Sequence, residues 1–452
     1  MEQGTPTEFR RALGPWSVIA LITGSMIGTG IFFFVSEVAI RLPSRAAILS
    51  AWIVGAAIAS CGALSLAELA AAYPQAGGIY VFLRRAYGPL IGFLYSWAKF
   101  LIMRIGTLAI LSVAFAKFCV DFLGLESETP AWFEKAIAIG VIVILTTVNI
   151  VGVRAGAMVQ NVLTAAKVFC LVAIVAVGAA FAMGLLESHT VAIEPAANPD
   201  GPFFLLFIAA LIPIMWTFGG WDESPFVAEE VRNPERNMPV SILGGLWTVA
   251  LLYVIVNAAY LAILSPAEMA GSEGVTATVA MERALGGGIR KIIALALMLS
   301  TFGAANGFVL TGGRIAFATG RDQVFFRWFA HTHPRTKTPA RSLAVQGILT
   351  TIVILIFENP FRLLLYTSLA YWVFSGLTAA AVIVLRLRDP QHERPFRVWG
   401  YPIVPILFVV ASLGMAISVA VNDMPNALVT VVILVVGAII YIVQTLTLGK
   451  SS

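Results

Sequence analysis

Two glycine-bearing interruptions in otherwise apolar runs carry the chemistry of this chain. The first reads Gly24-Ser-Met-Ile-Gly-Thr-Gly-Ile-Phe32, inside an apolar run from about Trp16 to Ile40. The second reads Trp216-Thr-Phe-Gly-Gly-Trp-Asp222, inside a run from about Pro202 to Val227. Glycine in a helix interior frees the backbone without adding packing, so it marks places where a helix opens. A helix opened inside a bilayer exposes N–H and C=O groups that lipid cannot satisfy, and these must face a cavity or a ligand. A half-helix starting after the break presents free amides at its positive end, which suit a carboxylate. A half-helix stopping at the break presents free carbonyls, which suit an ammonium group. One break offering both ends complements a zwitterionic α-amino acid.

On this reading the amides at Thr29 and Gly30, with Gly28 before them, take the carboxylate. Carbonyls near Met26 and Ile27 take the amine, and those at Trp216 and Gly219 complete its site. Trp216, Phe218 and Trp221, the last beside Gly220 and Asp222, wall off the side chain. The alternatives are plainer. Gly24-x-x-x-Gly28 also reads as a small-residue helix-packing face, and each aromatic as ordinary packing.

The elements that position these breaks follow from composition. Hydrophobic residues make up 59% of the 452 positions and charged ones only 12%, with a mean hydropathy of +0.90. A soluble domain has about a quarter of its residues charged, so the chain belongs in a bilayer. At about 20 apolar residues per span, twelve helices read out, centred near Gly28, Gly55, Leu108, Val143, Val172, Thr217, Leu251, Thr301, Thr350, Ser375, Val410 and Val435. The expected fold class is an all-α membrane protein, one polytopic domain over residues 1–452. Repeat one covers about 14–185, repeat two about 202–386, and extra helices about 402–447. Broken spans at matching positions of two halves point to the midplane site of a secondary transporter.

The basic balance, +5 with pI near 9.2, is placed for a membrane and not for nucleic acid. An even span count puts both termini on one side. Loops on that side hold Arg10, Arg11, Arg84, Arg85, Arg154, Arg232, Arg236, Arg314, Arg321, Arg327, Arg335, Lys337, Arg341, Arg386, Arg388, Arg394 and Arg397. The opposite loops hold Glu126, Glu128, Glu187, Glu194 and Asp200. Cations gather in cytoplasmic loops, so both termini are expected in the cytoplasm. The polar start from Met1 to Arg11 carries no signal-peptide pattern. Cys61, Cys119 and Cys170 fall in or at the ends of apolar spans and read as small hydrophobes. Neither they nor His331 and His333 make a metal or disulfide pattern, so no metal or cofactor is expected. An enzyme would need a clustered nucleophile or carboxylate dyad in the spans, and a channel charge rings or a repeated filter segment. Neither is present in the sequence. A non-transporting amino acid sensor would keep the same binding motifs.

The motifs resemble those of the amino acid–polyamine–organocation superfamily, and within it the L-type amino acid transporters. The stretches that carry the resemblance run through nearly the whole chain. They are Gly24 to Phe32, Ala67-Glu-Leu-Ala70 with Tyr73-Pro-Gln-Ala-Gly-Gly78, and Phe218-Gly-Gly-Trp-Asp222 followed by Ala228-Glu-Glu-Val-Arg-Asn-Pro-Glu-Arg-Asn-Met-Pro239. Ser300-Thr-Phe-Gly-Ala-Ala-Asn-Gly307 with Arg314, and Glu393-Arg-Pro-Phe-Arg397, follow. The resemblance implies a LeuT-like fold: two inverted five-helix repeats with helices 1 and 6 broken, plus helices 11 and 12. It also implies substrate contacts at Ile27, Thr29, Gly30, Trp216 and Gly219. The expected function is sodium-independent exchange of neutral L-amino acids by alternating access. The alternative is a proton-coupled or cationic amino acid permease.

Lys167 lies in the apolar fifth span, about 11 residues past Gly156 and so about 16 Å along the helix. A cation at that depth is a functional hypothesis by default; the plainer reading is a lysine snorkelling to the interface. In sodium-coupled relatives of the fold a sodium ion bridges the first, fifth and eighth helices. The resemblance implies that Lys167 puts an ammonium there, with Ser300 or Thr301 and carbonyls of the broken first helix as partners. Lys99 and Lys117 read as interfacial or packing residues, Arg104 has no assigned role, and Glu68 reads as structural. Asp222 either favours cationic substrates or caps the half-helix after it. L-type light chains bond an ancillary glycoprotein through a cysteine after the third helix. The loop Asp121 to Trp132 has none, so no disulfide-linked heavy subunit is expected, and a bacterial inner membrane is the natural setting.

Overall fold

The computed structural model describes residues 11–448 except 76, 126–129, 192, 197–199, 273–275, 323–326, 357–362 and 423. Expectations resting on Arg10, Glu126 and Glu128, and on the side chains of Arg154 and Arg327, lie outside the described residues. The first apolar run forms α1 (Pro15–Met26) and α2 (Gly30–Ala39), bent by 44° at the break. Pro15 suits a first helical turn, where its missing N–H has no helical partner to lose. The helix stops because Ile27 turns to φ −75° and ψ 81°, and the Gly28 N–H bonds back to the Met26 carbonyl at 2.8 Å. That is an inverse γ-turn, which cannot propagate a helix.

The chain continues as α3 (Arg45–Ala72), a short amphipathic α4 (Ile79–Tyr87) and α5 (Pro89–Ala98). A π-helical turn over Lys99–Arg104 joins α5 to α6 (Ile105–Leu123), so the third span is continuous but rewound. Then come α7 (Ala131–Val151), α8 (Val153–Ala182) and α9 (Phe203–Thr217). The second break ends α9. The Gly219 N–H turns to the Trp216 carbonyl at 2.9 Å, Gly220 takes φ +113°, and residues Trp221–Glu230 run on as a 3₁₀ helix. This second interruption is a change of helix type in one run, where the first is a bend.

The remaining elements are α10 (Pro234–Ile263), α11 (Pro266–Ala270), α12 (Thr276–Leu285), α13 (Arg290–Arg321), α14 (Ala340–Ile356), α15 (Leu363–Arg388), α16 (Ile403–Asn422) and α17 (Met424–Leu448). Among the described residues ten helices are long and apolar enough to cross a membrane, or eleven with α1 and α2 taken together. The span expected near Thr350 corresponds to α14, and residues 357–362 directly after it lie outside the described residues. The 17 residues of α14 reach about 25 Å against a hydrocarbon core of about 30 Å. The described residues form no strand, only one bridge between Leu13 and Val231.

Packing puts the broken helix at the centre, with α1 against α8, α10 and α13. Outside it, α3 packs on α10, α6 on α13, and α15 on α16. Glu68 anchors the far end of α3. Its carboxylate receives Arg386 Nε and Nη2 at 2.8 and 2.6 Å and the Val398 N–H at 2.7 Å, with 2% of the residue exposed. That is the structural role expected of it. Stranding Arg386 and the Val398 amide costs about 3 kcal/mol. Glu68→Ala therefore lowers the melting temperature in detergent by several degrees, and an unchanged transition would remove the anchor.

Candidate substrate site

The two breaks touch each other. A Cβ on Gly220 would stand 3.0 Å from the Met26 nitrogen and 3.1 Å from the Ser25 oxygen, and its φ of +113° already disfavours any side chain. A Cβ on Gly30 would stand 2.7 Å from Oγ1 and Cγ2 of Thr217. So bare backbone at both glycines lets the start of α2 sit on the end of α9. Between the breaks lies a cavity. The first break lines it with Ser25, Met26, Gly28, Thr29 and Gly30, the second with Trp216, Thr217, Gly219, Gly220, Asp222 and Glu223. The far wall comes from Lys99, Met103, Arg104 and Thr107 of the third span, Phe308 of α13, and Tyr371 and Trp372 of α15.

The backbone of this cavity is polarised. Among the described residues the amides of Thr29 and Gly30 find no acceptor. The carbonyls of Thr217 and Gly219 accept no backbone N–H among the described residues, while that of Trp216 is taken up by the turn that ends α9, with Gly219 N–H at 2.9 Å. The lining thus holds unpaired donors on one break and unpaired acceptors on the other, the two kinds of group a carboxylate and an ammonium require.

The carbonyls of Met26 and Ile27 do not belong to that pattern, and the expected amine site is corrected there. Met26 O accepts the Tyr253 hydroxyl at 2.7 Å as well as the Gly28 amide. Ile27 O accepts Lys167 Nζ at 2.7 Å and Ser300 Oγ at 3.1 Å. Lys167 also reaches Gly24 O at 2.6 Å and is 1% exposed, so its ammonium stays inside the bundle and does not snorkel. Its stem crosses bare backbone at Gly303, where a Cβ would stand 2.7 Å from Lys167 Cε. Thr301 is not a partner: its hydroxyl bonds Leu297 O and Met298 O of its own helix.

Two aromatics also fall outside the cavity. Trp221 meets the Phe408 ring edge-on at 5.9 Å, and Phe218 is buried against Trp52 and Tyr253. Ile27 too is buried outside the lining. Trp216 alone of the three expected aromatics is on the wall, its ring 4.8 Å from Phe34.

Sequence reasoning missed a buried ion cluster on the cavity wall. Lys99 Nζ lies 3.0 Å from Asp222 Oδ2 and 3.1 Å from Glu223 Oε1, and Arg104 Nη2 lies 2.6 Å from Glu223 Oε2. The Thr311 hydroxyl donates to the same Glu223 oxygen at 2.5 Å. Lys99 is 5% exposed and paired across to the second break, so of the two roles expected for it the interfacial one is removed and the packing one remains. On an α-helix, positions five apart face about 140° away from each other. The π turn at Lys99–Arg104 rewinds the span and brings both cations to one side. The signal available was charge sign: two cations in one span and two adjacent acids in another must pair at depth. Asp222 accepts the N–H of the preceding Gly220 at 3.3 Å, which leaves the half-helix after it uncapped, and its charge is matched by Lys99.

Comparison with known proteins agrees with this architecture. A family model described as amino acid permease matches residues 13–445. The chain is 32% identical to the b(0,+)-type amino acid transporter 1 of Mus musculus, over 92% of this chain and 84% of that protein. It is 28% identical to the serine/threonine exchanger SteT of Bacillus subtilis (strain 168), over 96% of each. It is 30% identical to the large neutral amino acids transporter small subunit 2 of Rattus norvegicus, over 90% of this chain and 76% of that protein. With paired helix breaks, a polarised cavity between them and a match along nearly its whole length, the chain belongs to the amino acid permease family and is like the L-type transporters.

Proposed function

We propose that this protein exchanges neutral L-amino acids across a bacterial inner membrane without sodium, by alternating access around the two breaks. The observation that carries the reading is the cavity lined by the free amides of Thr29 and Gly30 on one break and the free carbonyls of Thr217 and Gly219 on the other. Such a frame holds the α-carboxylate and α-amine of any L-amino acid and leaves the side chain to Trp216, Phe308, Tyr371 and Trp372. The cavity's own charges cancel, two cations against two carboxylates, which favours neutral side chains. Gly219 belongs to the frame through its carbonyl, while Gly28 and Gly220 line the cavity with backbone groups already engaged within the breaks and by Ser300.

Lys167 supports sodium independence. Its ammonium already occupies the space among α1, α8 and α13 and satisfies the Gly24 and Ile27 carbonyls, while Ser300 bridges Ile27 and Gly28. In the full reading the bundle is twelve spans of two inverted repeats with both termini cytoplasmic, α14 completing the set. It works with no disulfide-linked subunit and no metal. The names of the relatives, an exchanger and several amino acid transporters, agree with carriage.

Labelled amino acid flux in proteoliposomes tests this reading. Uptake is expected to need internal amino acid and to persist when choline replaces sodium. Loss of uptake in choline would sink the sodium claim, and binding without flux would make the protein a sensor.

Gly30→Val is expected to abolish substrate binding while the protein still inserts, because the new side chain collides with Thr217 and opens the frame. Wild-type affinity of that variant, read by ligand-induced thermal shift, would rule the carboxylate position out. Lys167→Ala frees two carbonyls of the broken helix, and interhelical polar contacts in bilayers are worth about 1 kcal/mol each. Exchange at matched protein density should fall by about tenfold or more while stability drops only modestly. Normal exchange rates would take Lys167 out of the mechanism.

A further inference from the structure

Lys99 occupies a complete recognition site for an ammonium ion. Its Nζ lies 3.0 Å from Asp222 Oδ2 and 3.1 Å from Glu223 Oε1. The ring centroids of Phe226 and Tyr371 stand 5.8 and 5.9 Å from it. Two carboxylates and two aromatic faces around one cation are the groups with which proteins bind primary ammonium ligands. Lys99, Asp222, Glu223 and Tyr371 all line the cavity, so this socket opens on the substrate space.

The two acids depend on Lys99 unequally. Glu223 is held independently by Arg104 at 2.6 Å and by the Thr311 hydroxyl at 2.5 Å. Among the described residues Asp222 has only Lys99 and the Gly220 N–H at 3.3 Å. With Lys99 removed, Asp222 becomes an unmatched carboxylate on the cavity wall beside an empty ammonium position.

We propose that Lys99 is a tethered stand-in for the side chain of a cationic substrate, and that by filling this socket it excludes lysine, ornithine and arginine from the cavity. This rests on the reading of the cavity as an amino acid site. A cationic side chain entering the wild-type cavity meets the Lys99 ammonium with both acids already engaged, in surroundings that screen repulsion poorly. A neutral side chain meets no such penalty. Selectivity then comes from a charge placed against the wrong ligand and needs no contact special to the right one.

The experiment compares uptake of L-lysine with that of the best-carried neutral L-amino acid in proteoliposomes. Wild type, Lys99→Met and Lys99→Met with Asp222→Asn are reconstituted at matched density. Wild type should favour the neutral substrate by about tenfold or more, and Lys99→Met should shift the ratio toward lysine by about tenfold. Adding Asp222→Asn should cancel the shift, because the empty socket then carries no net charge. An unchanged ratio in a Lys99→Met protein that still carries neutral substrate would overturn the inference. If Lys99→Met does not fold, Lys99→Gln, which keeps a hydrogen bond to Asp222, is read the same way. Wild type carrying lysine as readily as neutral substrates would overturn the inference alone. Wild type binding and carrying no amino acid at all would overturn the cavity reading together with it.

Discussion

Backbone hydrogen bonds opened inside a bilayer have no water to fall back on, and the core of this molecule is arranged around that constraint. At the first break the carbonyls of Gly24, Met26, Ile27 and Gly28 are taken up by side chains of neighbouring helices. Tyr253 reaches Met26, Lys167 reaches Gly24 and Ile27, and Ser300 reaches Ile27 and Gly28. What remains unsatisfied is a short row of amides on one side and carbonyls on the other. The binding surface is therefore the residue of an incomplete repair. Side chains from α8, α10 and α13 decide which backbone groups are left for a ligand.

The same constraint explains the charges. A lone cation or acid in the middle of an apolar span is costly, so buried ionisable groups gather where they can cancel or meet carbonyls. Lys99, Arg104, Asp222 and Glu223 form a neutral set, and Arg314 pairs with Glu230. Among the described residues Lys167 has no acid in its hydrogen bonds and relies on helix-end carbonyls, which carry the negative end of the α1 dipole. One type of side chain thus serves two purposes according to what the opened backbone leaves nearby.

Much of this was legible from residue order. The place of both breaks, the depth of Lys167 and the structural part of Glu68 followed from glycine spacing and from charge in apolar runs. The ends of the breaks were not. Whether Met26 O and Ile27 O are free depends on Tyr253 and Lys167, which are 227 and 140 residues away in sequence. Trp221 and Phe218 read as pocket walls because they flank the glycines, but the 3₁₀ winding after Gly220 turns Trp221 toward Phe408. Lys99 and Arg104 escaped for a related reason. Their common side exists only on a π turn, and a helical wheel drawn at 3.6 residues per turn separates them.

The small bridge between Leu13 and Val231 reaches further than its size. The amides of Ala12 and Leu13 both bond the Glu230 carbonyl at 2.9 Å, and the Arg232 amide returns to Leu13 O at 3.0 Å. The carboxylate of the same Glu230 is held by Arg314 of α13. One residue therefore pins the lead-in to the first broken helix, the tail of the second, and the end of α13. Those three ends form a single latch, and at this face the bundle has two choices. It can swing them together as one body, or it can part at Glu230, where backbone and side-chain restraints release in the same event.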